Sequence, residues 1–221
     1  MTKTRKIIYI VIAILILAAL GFLGWKYLYN KDNQENGGYI STLYGKENKE
    51  TLTEDVKAAY EKLLLNPSDV DSYMKVALWN RDQGKLNEAI KIYQLALQVR
   101  PQDTLLLGNV ADLYTRNKQY EEAEQSYLKI IENNPKWVSS YRSLADLYRY
   151  NMPEKQNEIP KILQKGLDNN SENELYFVGP MAEYYKDFGP KEDAIIWYER
   201  LLKLDPKNGT AKLELEQLKN N

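Results

Sequence analysis

The chain has 221 residues, a formal net charge of −1, and neither histidine nor cysteine. The missing residue types exclude Ser-His and Cys-His nucleophile systems, disulfide bonds and zinc sites with histidine or cysteine ligands. The near-neutral charge argues against nucleic acid as a partner, because a nucleic-acid-binding surface needs an excess of basic side chains. We therefore expect a non-catalytic protein without cofactor, metal or small-molecule substrate.

The chain begins with a basic tail (residues 1–6) and a predicted transmembrane helix (residues 7–29). The helix contains a run of 19 residues without a charge, which spans about 28 Å, close to the hydrocarbon thickness of about 30 Å. Trp25 ends the run and Tyr27 and Tyr29 follow it, as aromatic residues do at a membrane interface. The alternative is a cleaved signal peptide, because the segment also contains a small-residue cleavage pattern.

The basic residues on the two sides of this helix predict its orientation. Lys3, Arg5 and Lys6 precede it without a nearby acidic residue, whereas Asp32 and Glu35 dilute the positive charge that follows. Positive residues stay preferentially on the cytoplasmic side. We therefore expect a single-pass protein with a cytoplasmic N-terminus and its body outside the cell membrane.

Residues 30–51 connect the predicted membrane helix to the body at 52–221. They are rich in Asn, Gly and charged residues, and Gly37, Gly38 and Gly45 interrupt any helical pattern. The composition predicts a flexible linker. The alternative is that its apolar side chains dock onto the body or the membrane surface: Tyr39, Ile40, Leu43 and Tyr44.

An internal repeat with a period of about 34 residues is the strongest pattern in the chain. Three series show it: Pro67, Pro101 and Pro135; Tyr73, Leu107 and Tyr141; Ala77, Ala111 and Ala145. A further copy near the C-terminus is displaced by three residues. Each copy places apolar residues on one stripe of two successive helices, and proline ends the second. One such hairpin cannot bury its own apolar face, so the copies must stack.

This pattern resembles the tetratricopeptide repeat family, in particular its membrane-anchored bacterial members. The resemblance implies an all-α fold, an α-solenoid of about four helical hairpins whose first helices line a concave face. A half-repeat lid over 53–65 would precede the hairpins. The repeats would cover about 68–101, 102–135, 136–172 and 173–206, followed by a capping helix over 209–219.

The third and fourth copies depart from the pattern. The turn of the third copy is expanded over 151–157, and its second helix is predicted to start near Pro160, which suits a first helical turn. Gly166 replaces the usual alanine of that helix. Gly179-Pro180 falls within the first helix of the fourth copy and predicts a late start or a kink there.

In the family that the chain resembles, peptide ligands lie along the concave face. The corresponding candidate residues here are Arg81, Asp112, Arg116, Arg142, Asp146, Arg149, Tyr150, Tyr176 and Glu183. Arg142, Arg149 and Tyr150 form the most ligand-like cluster, because guanidinium groups bind carboxylates in pairs of hydrogen bonds and the ring adds contact area. The alternative is that these are solvated charges paired along their own helices.

Some members of the family bind the acidic C-termini of chaperones through a Lys/Asn/Asn/Lys/Arg clamp. The matching positions are Met74, Leu78, Asn109, Ser139 and Ser143, of which only Asn109 agrees. The resemblance therefore implies a membrane-anchored scaffold or adaptor that binds proteins or peptides at the cell envelope, without this clamp. A chaperone-like factor at the export machinery and a self-assembling structural protein are the alternatives.

Overall fold

The computed structural model describes residues 36–220, which form helices, turns and loops and contain no strand. The predicted all-α class is therefore confirmed for this part of the chain. The predicted tail (1–6) and membrane helix (7–29) lie outside the described residues. Of the helices within 36–220, none combines the length and the apolar character that crossing a bilayer requires.

Eleven α-helices follow one another in the described part of the chain. They are α1 (36–46), α2 (Glu54–Leu65), α3 (Val70–Asp82), α4 (Leu86–Val99), α5 (Thr104–Arg116), α6 (Tyr120–Asn133), α7 (Val138–Tyr150), α8 (Ile159–Asn169), α9 (Glu174–Phe188), α10 (Lys191–Leu204) and α11 (Gly209–Asn220). The helices belong to two compact units, with the boundary between Trp79 and Asn80 in α3.

In the first unit, helix α1 occupies much of the segment 30–51 that the sequence predicts to be a flexible linker. Ile40 is only 1% exposed, and Leu43 is also buried. Each glycine in a helix costs about 1 kcal/mol relative to alanine, whereas burying one large aliphatic side chain contributes about 1.5–3 kcal/mol. The prediction of a linker is therefore wrong over 36–46, because packing outweighs the glycines.

An aromatic pair joins α1 to α2. The rings of Tyr44 and Tyr60 stack with their centroids 4.8 Å apart and an angle of 15° between their planes. The Tyr44 hydroxyl also donates a hydrogen bond to Glu61, at 3.3 Å. Helix α2 covers most of the predicted half-repeat (53–65). The contacts with Tyr44 show that α2 packs against α1, the helix that precedes it in the chain.

Shortening a single buried side chain tests the docking of α1. Replacing Ile40 by valine removes one enclosed methylene group, and we expect a loss of about 1 kcal/mol in the free energy of unfolding. Urea denaturation of the full chain measures the loss, and faster hydrogen exchange of the amides over 36–46 locates it. Ser41→Ala, at an exposed position of the same helix, is the control. Equal stability of the two variants would contradict a packed α1.

In the second unit each helix from α4 to α11 packs against the next, and α7 also contacts α9 directly. The residues that recur at the repeat spacing are buried: Ala89, Tyr93, Ala96, Leu107, Val110, Ala111, Tyr114, Ala123, Tyr127, Ile130, Tyr141, Leu144, Ala145, Tyr148, Ala182, Ala194 and Tyr198. Small residues let the helix backbones approach, and the aromatic residues fill the space between successive hairpins.

The turns that open α4 and α6 share a left-handed backbone residue. Gly84 has a φ of 73°, and Lys118, at the equivalent position of the next copy, has a φ of 61°. The amide of Gly84 donates to the carbonyl of Arg81 at 2.9 Å, and the amide of Lys118 donates to that of Thr115 at 3.1 Å. The two turns are therefore equivalent, and only the first has the residue type that adopts this conformation without strain.

Lys118 gives a second test of stability. The left-handed conformation is about 1–2 kcal/mol less favourable for a residue with a Cβ atom than for glycine. Glycine also increases the conformational entropy of the unfolded chain, which offsets part of this gain. We expect Lys118→Gly to stabilise the chain by up to about 1 kcal/mol, measured as a shift of the urea midpoint. A destabilised variant would show that contacts of the lysine side chain outweigh the backbone strain.

The third and fourth hairpins contain the irregular elements. A 3-10 segment (Pro153–Glu158) fills the expanded turn, and α8 then starts at Ile159 with Pro160 in its first turn, as predicted. Helix α9, however, runs without a late start from Glu174 through Pro180. Pro180 lacks an N–H and cannot bond to the carbonyl of Tyr176. Packing of α9 between α8 and α10 compensates for this single lost hydrogen bond.

Helix α11 closes the second unit and contains the predicted capping helix (209–219). Its buried Ala211 packs in one apolar cluster with Val178, Ala182, Tyr198 and Leu201 of α9 and α10. Leu215 and Leu218 cover the same cluster and are partly buried. Apart from the exposed Leu213, the remaining face of α11 is polar, which suits a helix with no further hairpin stacked on it.

Candidate functional site

The candidate residues lie at the end of α3 and on α5, α7 and α9. Most of them line two cavities of the second unit, one between α5 and α7 and the other among α9, α10 and α11 with Arg142 of α7 at its edge. We use the term groove for the surface that contains these two cavities. The first helices α5, α7 and α9 contribute to the groove, together with α10 and α11 at the second cavity.

A cavity of about 180 Å³ lies between α5 and α7, and we name it the acidic socket. It is lined by Asp112, Thr115, Tyr127, Ser143, Asp146, Leu147, Tyr150 and Asn151. Asp112 and Asp146 occupy equivalent positions in successive copies of the repeat. The repeat therefore places one carboxylate on each of the two helices that border the socket.

The interior of the acidic socket carries hydroxyl groups, and its rim carries an aromatic ring. Tyr127 of α6 is buried, which raises the pKa of its phenol, while hydrogen bonds to Thr115 and Ser143 act in the opposite direction. Tyr150 is 71% exposed, although aromatic residues are usually covered. The socket therefore combines negative charge, hydroxyl groups and an accessible π-face.

The carboxyl group of Asp146 is sensitive to its surroundings. Burial raises its pKa above the usual value, Arg142 and Arg149 lower it, and Glu183 raises it further. Arg142 is the nearer influence on the same helix, with its Nε 3.8 Å from Oδ2 of Asp146.

Removing this arginine should therefore change the titration of Asp146. We expect Arg142→Met to raise the pKa of Asp146, because the carboxylate loses a neighbouring positive charge and the desolvation remains. The carboxyl carbon resonance of Asp146, followed by NMR against pH, measures the change. Arg116→Met, on α5, is the control. An unchanged or lowered midpoint for Asp146 in Arg142→Met would contradict the interaction.

A larger cavity of about 400 Å³ lies among α9, α10 and α11, with Arg142 of α7 at its edge, and we name it the Gly179 socket. Its lining residues are Arg142, Leu175, Gly179, Pro180, Glu183, Tyr198, Leu201, Asp205, Asn208, Thr210 and Ala211. A Cβ atom added at Gly179 would meet nothing within 4 Å. The absence of a side chain at this position therefore leaves the socket open, and its exposed lining is mostly polar.

The predicted cluster of Arg142, Arg149 and Tyr150 divides into accessible and structural members. Arg142 lines the Gly179 socket, its side chain is 46% exposed, and its guanidinium lies 5.9 Å from the centre of the Tyr176 ring. It is therefore open to a ligand. Tyr150 lies apart from it, at the rim of the acidic socket.

Arg149 is the structural member. Its side chain is only 13% exposed and forms ion pairs with Asp187 and with Glu183, whose Oε2 lies 3.7 Å from Nη1. The guanidinium also lies 5.7 Å from the centre of the Phe188 ring. Arg149 thus links α7 to α9 and is largely covered from a ligand.

The remaining candidates lie outside the two sockets or at their edge. Arg81 pairs with the neighbouring Asp82 at 2.8 Å, and Arg116 is exposed on α5. Tyr176 lies in a shallow depression beside Arg142 and Leu175. Ligand contact by all nine candidates stays a prediction, with geometric support for those that line a socket.

The sequence pattern did not identify the residues that make the Gly179 socket. From the sequence, Gly179-Pro180 predicted only an irregularity in the first helix of the fourth copy. With the displaced frame, however, Gly179 is the counterpart of Arg142 in the preceding copy. A glycine at a position that faces the groove was therefore the available signal of an open site.

Groups of metal ligands are absent from the part of the chain that the structure describes. Within 36–220, no three or more Asp or Glu side chains converge in a way that could hold a metal ion.

Helical hairpins at a fixed spacing, each burying alanines and aromatic residues against its neighbour, define the α-solenoid class of repeat proteins. A family model described as tetratricopeptide repeat matches residues 81–147, and a second model of the same description matches residues 181–208. These two regions of the chain are therefore similar to tetratricopeptide repeats.

Relatives and solved structures agree with this assignment. Anaphase-promoting complex subunit 3 of Schizosaccharomyces pombe is 24% identical over 158 residues, which are 71% of this chain and 23% of that protein. The chain therefore spans less than a quarter of the length of this relative. A tetratricopeptide repeat protein from Parabacteroides merdae superposes with a TM-score of 0.62 at 22% identity, covering 85% of this chain and 72% of that one. The protein YrrB, described as having an unusual peptide-binding site, superposes with a TM-score of 0.56 at 16% identity, covering 74% and 82%.

Proposed function

We propose that the chain is a non-catalytic adaptor that binds segments of other proteins in the groove of its second unit. The observation that carries this proposal is the pair of sockets in the second unit, one between α5 and α7 and one among α9, α10 and α11 with Arg142 of α7 at its edge. Concave surfaces of this kind are the usual binding surfaces of solenoid proteins. The description of YrrB as a peptide-binding protein of similar fold is consistent with the proposal.

We further propose that residues 7–29 anchor the adaptor in the cell membrane, with the N-terminus in the cytoplasm and the helical body outside. The uncharged run and the preceding basic residues support this part of the proposal. Anchoring would restrict binding to partners that are present at the cell envelope.

Site-specific photo-crosslinking in cells tests the binding function. A photoreactive amino acid in place of Tyr176 should form adducts with other proteins, because this residue lies beside the Gly179 socket. The same probe in place of Leu128, which is exposed on α6, is the control. Adducts at 176 should decrease when Gly179→Trp fills the socket. Equal adducts at the two positions, or no effect of Gly179→Trp, would count against the groove as the binding surface.

Cysteine labelling tests the membrane arrangement. The chain has no cysteine, so one introduced residue gives an unambiguous signal. Glu216→Cys, at an exposed position of α11, should react with a membrane-impermeant maleimide in intact cells and stay in the membrane fraction after carbonate extraction. Protection of the cysteine until the cells are lysed would reverse the proposed sidedness, and release by carbonate would contradict the anchor.

A further inference from the structure

We propose that the acidic socket binds one lysine side chain of a partner protein and holds its ammonium group between Asp112 and Asp146. The group that is recognised is a charged, unmodified lysine, and the rest of the partner segment lies along the groove. This inference rests on the proposed function and names the chemistry by which the groove recognises its partner.

The two carboxylates of the acidic socket are weakly paired within the described part of the chain. Asp146 has an exposed pair with Arg142, whose Nε lies 3.8 Å from Oδ2 of Asp146, and Asp112 has no ion pair with another described residue. The equivalent carboxylate of the next copy, Glu183, is instead paired with the largely covered Arg149. A positive charge that enters the socket therefore gains two carboxylates that the chain itself leaves almost free of basic partners.

A buried hydroxyl group near Asp112 also lacks a partner. Tyr93 is the equivalent of Tyr127 in the preceding copy, and its hydroxyl forms no hydrogen bond with any residue that the structure describes. Burial, opposed by Arg81 and assisted by Asp112, raises the pKa of Tyr93 to about 12, so the hydroxyl is close enough to Asp112 to be affected by its charge. The polar groups around Asp112 are thus incompletely satisfied by the chain itself.

The arrangement of the acceptors favours an ammonium group over a guanidinium group. Oxygen atoms face the acidic socket from three helices: Asp112 and Thr115 of α5, Tyr127 of α6, and Ser143 and Asp146 of α7. An ammonium group directs three donors from one atom, whereas a guanidinium group holds its donors in one plane that suits a single carboxylate. The volume of about 180 Å³ has room for one such side chain.

The apolar lining of the socket suits the stem of a lysine. Leu147 is part of the lining, and Tyr150 stands at the rim with its ring exposed. The methylene groups of a lysine can pack on Leu147 while its charged end reaches the carboxylates, and the ring of Tyr150 offers a cation–π contact. The N-terminus of a chain carries an ammonium group without this stem, so the lysine side chain fits the socket better.

Peptide selection followed by substitution of single lysines tests this inference. A phage-displayed library of random peptides is selected on the full-length protein in detergent, and the enriched sequences are synthesised with blocked N-termini. Each lysine is replaced in turn by norleucine, acetyl-lysine or arginine, and affinities are measured by fluorescence anisotropy. At one lysine, norleucine and acetyl-lysine should each weaken binding about tenfold or more, because the charge is lost, and arginine should weaken it less.

Variants of the protein assign this lysine to the acidic socket. The readout is the ratio of the affinities for the lysine peptide and its norleucine counterpart. Asp112→Asn and Asp146→Asn keep the side-chain shape and should each lower the ratio about threefold or more. Arg142→Met should raise it, since Asp146 loses a competing positive charge. Glu132→Gln, at an exposed position of α6, should leave it unchanged. Circular dichroism confirms that each variant is folded.

The possible results separate this inference from the proposed function. If enriched peptides respond to Gly179→Trp but lack lysine or tolerate norleucine at every lysine, the inference is wrong and the groove remains the binding surface. If the ratio is unchanged in Asp112→Asn and Asp146→Asn, the lysine binds elsewhere and the inference is also wrong. Tighter binding of arginine than of lysine would overturn the preference for an ammonium group. If no peptide is enriched, or none responds to a groove variant, both proposals fail.

Discussion

Replacing Gly166 by alanine should destabilise the chain by about 2–3 kcal/mol, although alanine is the usual residue at this position of the repeat. A Cβ at Gly166 would lie 2.3 Å from Cε1 of Phe177 and 2.9 Å from its Cζ. The Phe177 ring is fully buried and in edge contact with Tyr141, at 6.0 Å between centroids, so it has little room to move. Overpacking of this kind costs about 1–3 kcal/mol and outweighs the gain in helix propensity.

A double-mutant cycle measures this conflict directly. In the background of Phe177→Leu the ring is absent, and Gly166→Ala should then be neutral or stabilising by up to about 1 kcal/mol. Gly108→Ala in α5 is the matched control, because its Cβ would meet only Cδ1 of Ile130 at 3.9 Å, an ordinary contact. Urea denaturation of the parent chain, the variants and the control gives the coupling free energy between Gly166→Ala and Phe177→Leu. Equal effects of Gly166→Ala with and without Phe177 would contradict the steric explanation.

Reversing the charge of Arg149 should have the largest effect, a loss of about 3–5 kcal/mol, whereas the same change at Arg142 should cost less than about 1 kcal/mol. Arg149→Glu places a third carboxylate beside Glu183 and Asp187 in a largely covered position. Arg142→Glu acts at an exposed position with only a loose partner. The sequence does not distinguish Arg142 from Arg149. The difference in stability between the two variants therefore tests whether Arg149 is structural and Arg142 is accessible.

Hydrogen exchange shows where the loss occurs. Because repeat proteins are stabilised by contacts between neighbours, Arg149→Glu should expose α9 to α11 and leave α4 and α5 protected. Adding Asp187→Arg restores one pair of opposite charges and should recover part of the stability. If Arg142→Glu and Arg149→Glu lower the free energy of unfolding by the same amount, the ion pairs between α7 and α9 do not stabilise the stack.

The regular part of the fold was predictable because one physical requirement recurs with every copy of the repeat. Small residues such as Ala111 and aromatic residues such as Tyr127 must be buried between hairpins wherever the pattern repeats, and they are. Helix α1 was not predictable in the same way. The glycines of α1 lower its helix propensity, and this local effect can be predicted from the sequence. The burial of Ile40 and Leu43 depends on contacts that form only in the folded chain.

The sequence predicted which helices carry the candidate residues, and it did not predict the contacts of those residues. The repeat spacing placed Asp112 and Asp146 correctly on neighbouring helices. The sequence could not show that Arg149 is held by Glu183 and Asp187 of the next hairpin, because such ion pairs depend on the exact rotation of α9. Nor could it show the Gly179 socket, since a cavity is produced by the side chains that are missing around it.

The packing of residues 36–46 into the helical body bears on how the chain searches for partners. If residues 7–29 are the anchor, the helix over 36–46 lies within at most about 20 Å of it along the chain, compared with about 75 Å for an extended linker over all of 30–51. The volume that the body can explore around its anchor scales with the cube of the tether length, so it is roughly fifty-fold smaller than with the longer linker. The effective concentration of the body near the membrane rises by the same factor. The protein would then act on partners that are themselves held at the bilayer, and it would encounter few that diffuse freely beyond it.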